Sequence, residues 1–258
     1  NRLIMRRKIL HFFKKNNLID EQKVNSLIVS TFVYSNNIRV VRNKLINDLI
    51  NYQFQKKNTL QNELLSIIQK EDTAFDLELL IQLFEYVISP NTRVINGAIY
   101  TPAYIREFII KSLLQREPDL FLSGYKFADL SCGCGAFLID LAQILKKKTG
   151  APFDHIFKNN IYGIDIERYA VERAKILLTL LALSGGEDKE FEFNLIKGDS
   201  LIFDWSLCIS SFTGFDYVVG NPPYVTAEHM TEETREQLSK METCRVGNPD
   251  LYIPFFEI

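Results

Sequence analysis

Apolar positions in the first third of the chain recur with a helical period. Val24, Leu27, Ile28, Thr31 and Phe32 follow i, i+3, i+4, i+7, i+8 spacing, and Leu77, Leu80, Ile81, Phe84 and Val87 nearly repeat it. Each set therefore occupies one face of a helix. Residues 1–89 contain no Gly and no Pro, so several helices are expected there. Their breaks are predicted near Asn16-Asn17, Asn36-Asn37, Lys56-Lys57-Asn58 and Lys70-Glu71-Asp72. Ser89-Pro90-Asn91 and Asn96-Gly97 then bring strong punctuation. A helical domain over 1–90 and a second domain over 91–258 follow from that change.

Beyond it the pattern becomes strand, glycine-bearing turn, helix, repeated. Apolar runs predict strands near Lys126–Leu130, Ile161–Ile166, Glu192–Lys197 and Asp216–Val219. Helices are predicted near Pro102–Leu114, Ala136–Lys148, Arg168–Leu183 and Glu232–Met241. Such alternation predicts an α/β fold, a doubly wound parallel sheet with ligands at the carboxyl ends of its strands.

Composition narrows the class. With 47% hydrophobic and 24% charged residues the chain is an ordinary globular protein. Charges interrupt every apolar stretch before bilayer length, and no membrane partner is expected. Four cysteines without CxxC spacing give no zinc signature and read as reduced thiols of a cytoplasmic protein. The net charge of −2 is unevenly spread: residues 1–60 hold twelve Lys/Arg against three acids. That excess is either a solvated helical face or a contact to nucleic-acid phosphates. Glu21-Gln22-Lys23 and Glu187-Asp188-Lys189 match only the last element of a D…ExK nuclease pattern, and no nuclease is assigned.

The candidate chemistry sits at the predicted strand ends. Asn221-Pro222-Pro223-Tyr224 follows an apolar strand. The amide oxygen of Asn221 and the carbonyl of Pro222 can both accept from one exocyclic amine. The prolines fix the backbone, and Tyr224 offers a stacking face. An Asn-Pro turn ending a strand is the simpler reading of the same residues. Upstream, Asp129-Leu130-Ser131-Cys132-Gly133-Cys134-Gly135 joins a strand to a helix N-terminus. Its two glycines allow close approach of a ligand. The full G-x-G-x-x-G is absent, because position 138 is Leu. Asp129 would repel a pyrophosphate but hold an ammonium. Asp165 ends the second strand, where an acid suits ribose hydroxyls, and Asp199 ends the third, where it can accept from an adenine amino group. Each acid alone is equally a turn or capping residue. Tyr100-Thr101-Pro102 reads as a helix start, with Thr101 as N-cap and Pro102 at N1.

Together these segments resemble the adenine-N6 DNA methyltransferases that use S-adenosylmethionine, in the gamma motif order. They look most like the modification modules of Type I and Type IIG restriction–modification enzymes. The resemblance covers Gly97 to the end and implies a Rossmann-like sheet preceded by an all-helical domain. It implies S-adenosylmethionine held by Tyr100, Thr101, Pro102, Asp129, Ser131, Gly133, Gly135, Asp165, Ile166, Asp199 and Ser200. Asn221, Pro222, Pro223 and Tyr224 would be catalytic, and the substrate a flipped adenine of double-stranded DNA. Asn248–Phe256 is similar to the helix that usually comes next. The family's later strands and target-recognition domain have no counterpart before Ile258. A fragment of a longer protein, with a specificity domain or subunit as partner, is therefore expected. RNA-base and protein-glutamine methyltransferases also carry Asn-Pro-Pro-Tyr, and a non-catalytic S-adenosylmethionine-binding subunit is a third alternative.

Overall fold

The computed structural model describes residues 2–70, 74–86, 100–116 and 124–258. The punctuation at Ser89-Pro90-Asn91 and Asn96-Gly97, and Glu71-Asp72 of the last predicted break, lie outside the described residues. The chain divides into two compact units: Asn1–Val87 with Lys175–Glu192, and Ile88–Ala174 with Phe193–Ile258.

In the first unit the described helices are α1 (Arg2–Lys15), α2 (Glu21–Ser35), α3 (Lys44–Asn51), α4 (Lys57–Lys70) and α5 (Leu77–Tyr86). Asp20 starts α2 by accepting from the backbone N–H of Lys23 at 2.8 Å. Every residue from Val24 to Val33 is buried, because α2 packs against α3, α4 and α5. The break predicted at Lys56-Lys57-Asn58 falls earlier, since Lys57 and Asn58 form the first turn of α4. Lys56 makes the turn in the left-handed region, at φ 64°. The buried ammonium of Lys57 then donates to the carbonyls of Ile50 (2.5 Å) and Tyr52 (2.8 Å), closing the end of α3. The distant stretch Lys175–Glu192 contributes Asp188, whose carboxylate accepts from the backbone N–H groups of Val41 (2.7 Å), Arg42 (3.0 Å) and Asn43 (2.9 Å). Partial burial pushes the Asp188 carboxyl up, but these donors outweigh it and hold it below the ordinary range.

The second unit is built on a four-stranded parallel sheet: β1 (Phe127–Asp129), β2 (Ile161–Asp165), β3 (Asn194–Lys197) and β4 (Tyr217–Val218). The strand order is β3-β2-β1-β4, with Phe127 paired to both Ile161 and Tyr217. Its described helices include α6 (Ala103–Arg116), α7 (Ala136–Thr149), α8 (Phe153–Asn159) and α10 (Glu232–Ser239); α9 (Arg168–Ser184) follows β2. The seven-residue α8 was not predicted. One sheet face packs Ala128, Tyr162 and Ile164 against Trp205, with Phe203 and Phe215 around it. On the other face Gly163 lies under α7, where a Cβ would come within 2.8 Å of Leu138. In place of the helix implied for Asn248–Phe256, only Ile253–Phe256 forms a short 3-10 turn. The N–H of Leu251 is instead bonded to the carbonyl of Val225 at 2.9 Å, and Pro249 has none to give.

Candidate functional site

The strand order fixes where a ligand can sit. From β1 the chain steps to β2 and β3 on one side, and β4 returns on the other. The switch point, with its crevice beyond the carboxyl ends, therefore lies between β1 and β4. Asp129 ends β1 there, and Gly220-Asn221 leaves β4 beside it.

Asp129 is 2% exposed. Its Oδ1 accepts from the N–H of Ser131 at 3.0 Å, and no described residue bonds its Oδ2. Burial pushes its carboxyl up to about 7, against the lowering effect of Ser131, and the nearby charge of Asp165 adds to the rise. A Cβ on Gly220 would stand 2.4 Å from Asp129 Oδ1. Glycine is required at 220 by this approach.

The turn after β1 ties the other strand ends together. The hydroxyl of Ser131 donates to the main-chain carbonyl of Asn221 at 3.1 Å. The N–H of Gly133 donates to Asp165 Oδ2 at 2.8 Å, and the backbone N–H of Glu167 donates to Oδ1 at 2.9 Å. Ser200 Oγ donates to the carbonyl of Leu130. Asp199 Oδ1 accepts from the N–H of Leu201 at 3.0 Å. Gly133 (φ 51°) and Gly135 (φ 83°) take left-handed conformations in this turn. Asp129, Ser131, Gly133, Gly135, Asp165, Asp199, Ser200 and Asn221 are thus brought to one end of the sheet. Ile166, next to Asp165, is 58% exposed. Cys132 and Cys134 are buried, and burial pushes the Cys132 thiol well above its usual range, so it packs rather than reacts.

Beyond β4, Tyr224 Oη donates to Asn221 Oδ1 at 2.9 Å. Its ring is half exposed and tilts against Tyr252 at 5.8 Å. Among the described residues nothing donates to the carbonyl of Pro222. Val225 anchors the far side of the loop in an apolar cluster with Met230, Leu238 and Cys244.

Tyr100, Thr101 and Pro102 are half-buried and lead into α6. They are organised by Arg106, a residue the sequence reading missed. Arg106 is 1% exposed; its Nε donates to Asp140 Oδ2 on α7 at 2.7 Å, and its Nη1 to the carbonyl of Thr101 at 2.6 Å. The ring of Tyr100 lies 5.9 Å from the guanidinium carbon. The available signal was a lone charge in each of two otherwise apolar helix faces, Tyr104–Ile110 and Phe137–Leu145.

Residues 159–258 match the Eco57I restriction-modification methylase family. The Escherichia coli Type II restriction enzyme and methyltransferase RM.Eco57I is 28% identical over 186 residues, 54% of this chain and 19% of that protein. The Type II methyltransferase M.BstVI of Geobacillus stearothermophilus is 29% identical over 184 residues, 66% of this chain and 32% of that protein. The chain thus spans a third or less of the length of these relatives. A structure described as a class I S-adenosylmethionine-dependent methyltransferase from Listeria monocytogenes superposes with a TM-score of 0.50 at 16% identity, covering 92% of this chain and 68% of that one. The fold is thus shared with that methyltransferase structure.

Proposed function

We propose that the chain is the core of a modification methyltransferase that binds S-adenosylmethionine and methylates N6 of an adenine in double-stranded DNA. The observation that carries this reading is the tether from Ser131 to Asn221, which sets the acceptor loop against the glycine turn of the cofactor site. When bound, S-adenosylmethionine supplies an electrophilic methyl group on a sulfonium. The residues fit it: Asp129 has a carboxylate oxygen that no described residue bonds, and it would face an ammonium. Asp165 would hold the ribose hydroxyls, Ile166 offers exposed apolar surface to a purine, and Asp199 would accept from its amino group. Tyr100, Thr101 and Pro102 would border the amino-acid end, with Gly133, Gly135 and Ser200 keeping the turn open to it.

At the acceptor, Asn221 Oδ1 and the carbonyl of Pro222 take the two amine hydrogens and orient the nitrogen lone pair. Oδ1 has two lone pairs, so it can keep the hydroxyl of Tyr224 while doing so. Pro222 and Pro223 hold these carbonyls in place. Tyr224 stacks on the base, which must leave the duplex at a cost of a few kcal/mol. Target choice and grip on the flipped base belong to a specificity domain or subunit. Incubating the full-length protein with methyl-labelled S-adenosylmethionine and DNA, RNA or protein tests the reading. Label in adenine N6 of DNA, absent in Asn221→Ala with cofactor binding retained, is the expected result. Label in RNA or glutamine, or none in any substrate, overturns it.

A further inference from the structure

The first unit carries a groove of its own, about 620 Å³ in volume, bordered by Ser30 of α2, Arg39 beyond it, Asn51 at the end of α3, and Lys57, Asn58 and Gln61 of α4. Among the described residues no Asp or Glu borders it. The 14-residue α4 begins at this groove with no acid in its first turn. Lys56, the residue before it, has no side-chain acceptor with which to cap. Among the described residues nothing accepts from the backbone N–H groups of Asn58 and Thr59. An uncapped helix start of this kind holds a partial positive charge and open donors.

A second observation points to the same place. Ser30 is 6% exposed, and among the described residues its hydroxyl has no hydrogen-bond partner. Its neighbour Thr31, by contrast, bonds back to the carbonyl of Leu27 at 2.7 Å. Arg39 is exposed and forms no ion pair among the described residues. Lys57 spends its protons on the carbonyls of α3 and adds charge rather than donors. Helix N–H groups, a buried hydroxyl and a guanidinium around an acid-free groove are the donor set of a phosphate site.

We propose that this groove binds a phosphate group, carried either by a nucleic-acid backbone or by a free nucleotide. The site is independent of the methyl-transfer reading. It is tested by titrating the protein with fluorescein-labelled duplex DNA of arbitrary sequence, with ATP and with inorganic phosphate, by anisotropy and thermal shift. Two variants of exposed residues serve: Arg39→Ala, and Asn58→Asp, which gives α4 the acid its first turn lacks and so keeps Tm unchanged or higher. The expected result is binding that weakens about tenfold or more in both variants. DNA binding without ATP binding at matched phosphate concentration assigns the backbone, and the converse a nucleotide. Failure of all three probes to bind overturns the proposal. So does binding that both variants retain, or that is lost only on replacing Lys14 and Lys15 of α1 by alanine.

Discussion

The hydroxyl of Ser131 holds the main-chain carbonyl of Asn221 at 3.1 Å across ninety residues of sequence. The turn after β1 and the loop after β4 are thereby one assembly, reinforced by the contact of Gly220 with Asp129. On the methyltransferase reading, whatever orders Asp129–Gly133 also orders the acceptor carbonyls.

Ser131→Ala removes that tether while leaving the strand ends in place. A neutral hydrogen bond of this kind contributes about 1 kcal/mol. In the full-length enzyme kcat should fall about fivefold, with a smaller change in S-adenosylmethionine affinity. Loss confined to cofactor affinity would place Ser131 in the cofactor pocket alone.

Gly220→Ala forces a methyl group into the Asp129 carboxylate and should cost about 1–3 kcal/mol. Because the clash is with one side chain, Asp129→Ala in the same chain should recover part of the loss. Thermal denaturation of the two single variants and the double variant reads this directly; strictly additive losses would remove the contact from the account.

Asp129 also predicts a pH dependence. Its carboxyl is raised to about 7 in the folded chain, against about 3.9 when unfolded. Between those values the folded chain keeps a proton that the unfolded chain has released, so stability falls as pH rises through the window and levels off above it. Tm of the unliganded protein relative to Asp129→Asn should therefore decline from about pH 4 to about pH 7. A difference that rises with pH contradicts the protonated Asp129.

Tyr224 is expected to act twice, through its ring and through its hydroxyl on Asn221. Tyr224→Phe keeps the ring and should reduce methyl transfer several-fold. Tyr224→Ala should reduce it far more, since stacking on a base is worth about 1–3 kcal/mol. Neither should alter cofactor affinity by calorimetry. Equal effects of the two variants would deny the ring its role.

Arg106→Ala strands the partner carboxylate of Asp140 and should destabilise the protein by about 3–5 kcal/mol. Arg106→Met with Asp140→Leu removes both charges and should be much milder. Chemical denaturation of the set decides it, and a double variant as unstable as Arg106→Ala alone would mean that packing, not charge, matters at this position.

Strand positions were legible because their causes are local: apolar runs ending in glycine or acid gave limits within about two residues of β1 to β4. Asp129, Asp165, Asp199 and Asn221 were legible for the same reason, each being the residue at which such a run stops. The break at Lys56-Lys57-Asn58 was misplaced because polar residues read as punctuation, whereas Lys57 folds inward onto the carbonyls of α3. Arg106 was invisible because an arginine among the charged residues of a helix shows its partner only once α6 meets α7.

The sequence by itself determined the helical period of the first third, the strand–turn–helix alternation of the rest, and the acid or amide at each strand end. These follow from side-chain spacing and backbone freedom over a few residues. Only the tertiary structure decided the order β3-β2-β1-β4, the burial that raises the Asp129 carboxyl, and the need for glycine at 220. It alone also decided that Asp188 joins α3. Each of these rests on atoms brought together from positions distant in the chain, or on the removal of water from around a charge, and neither is written in any local pattern.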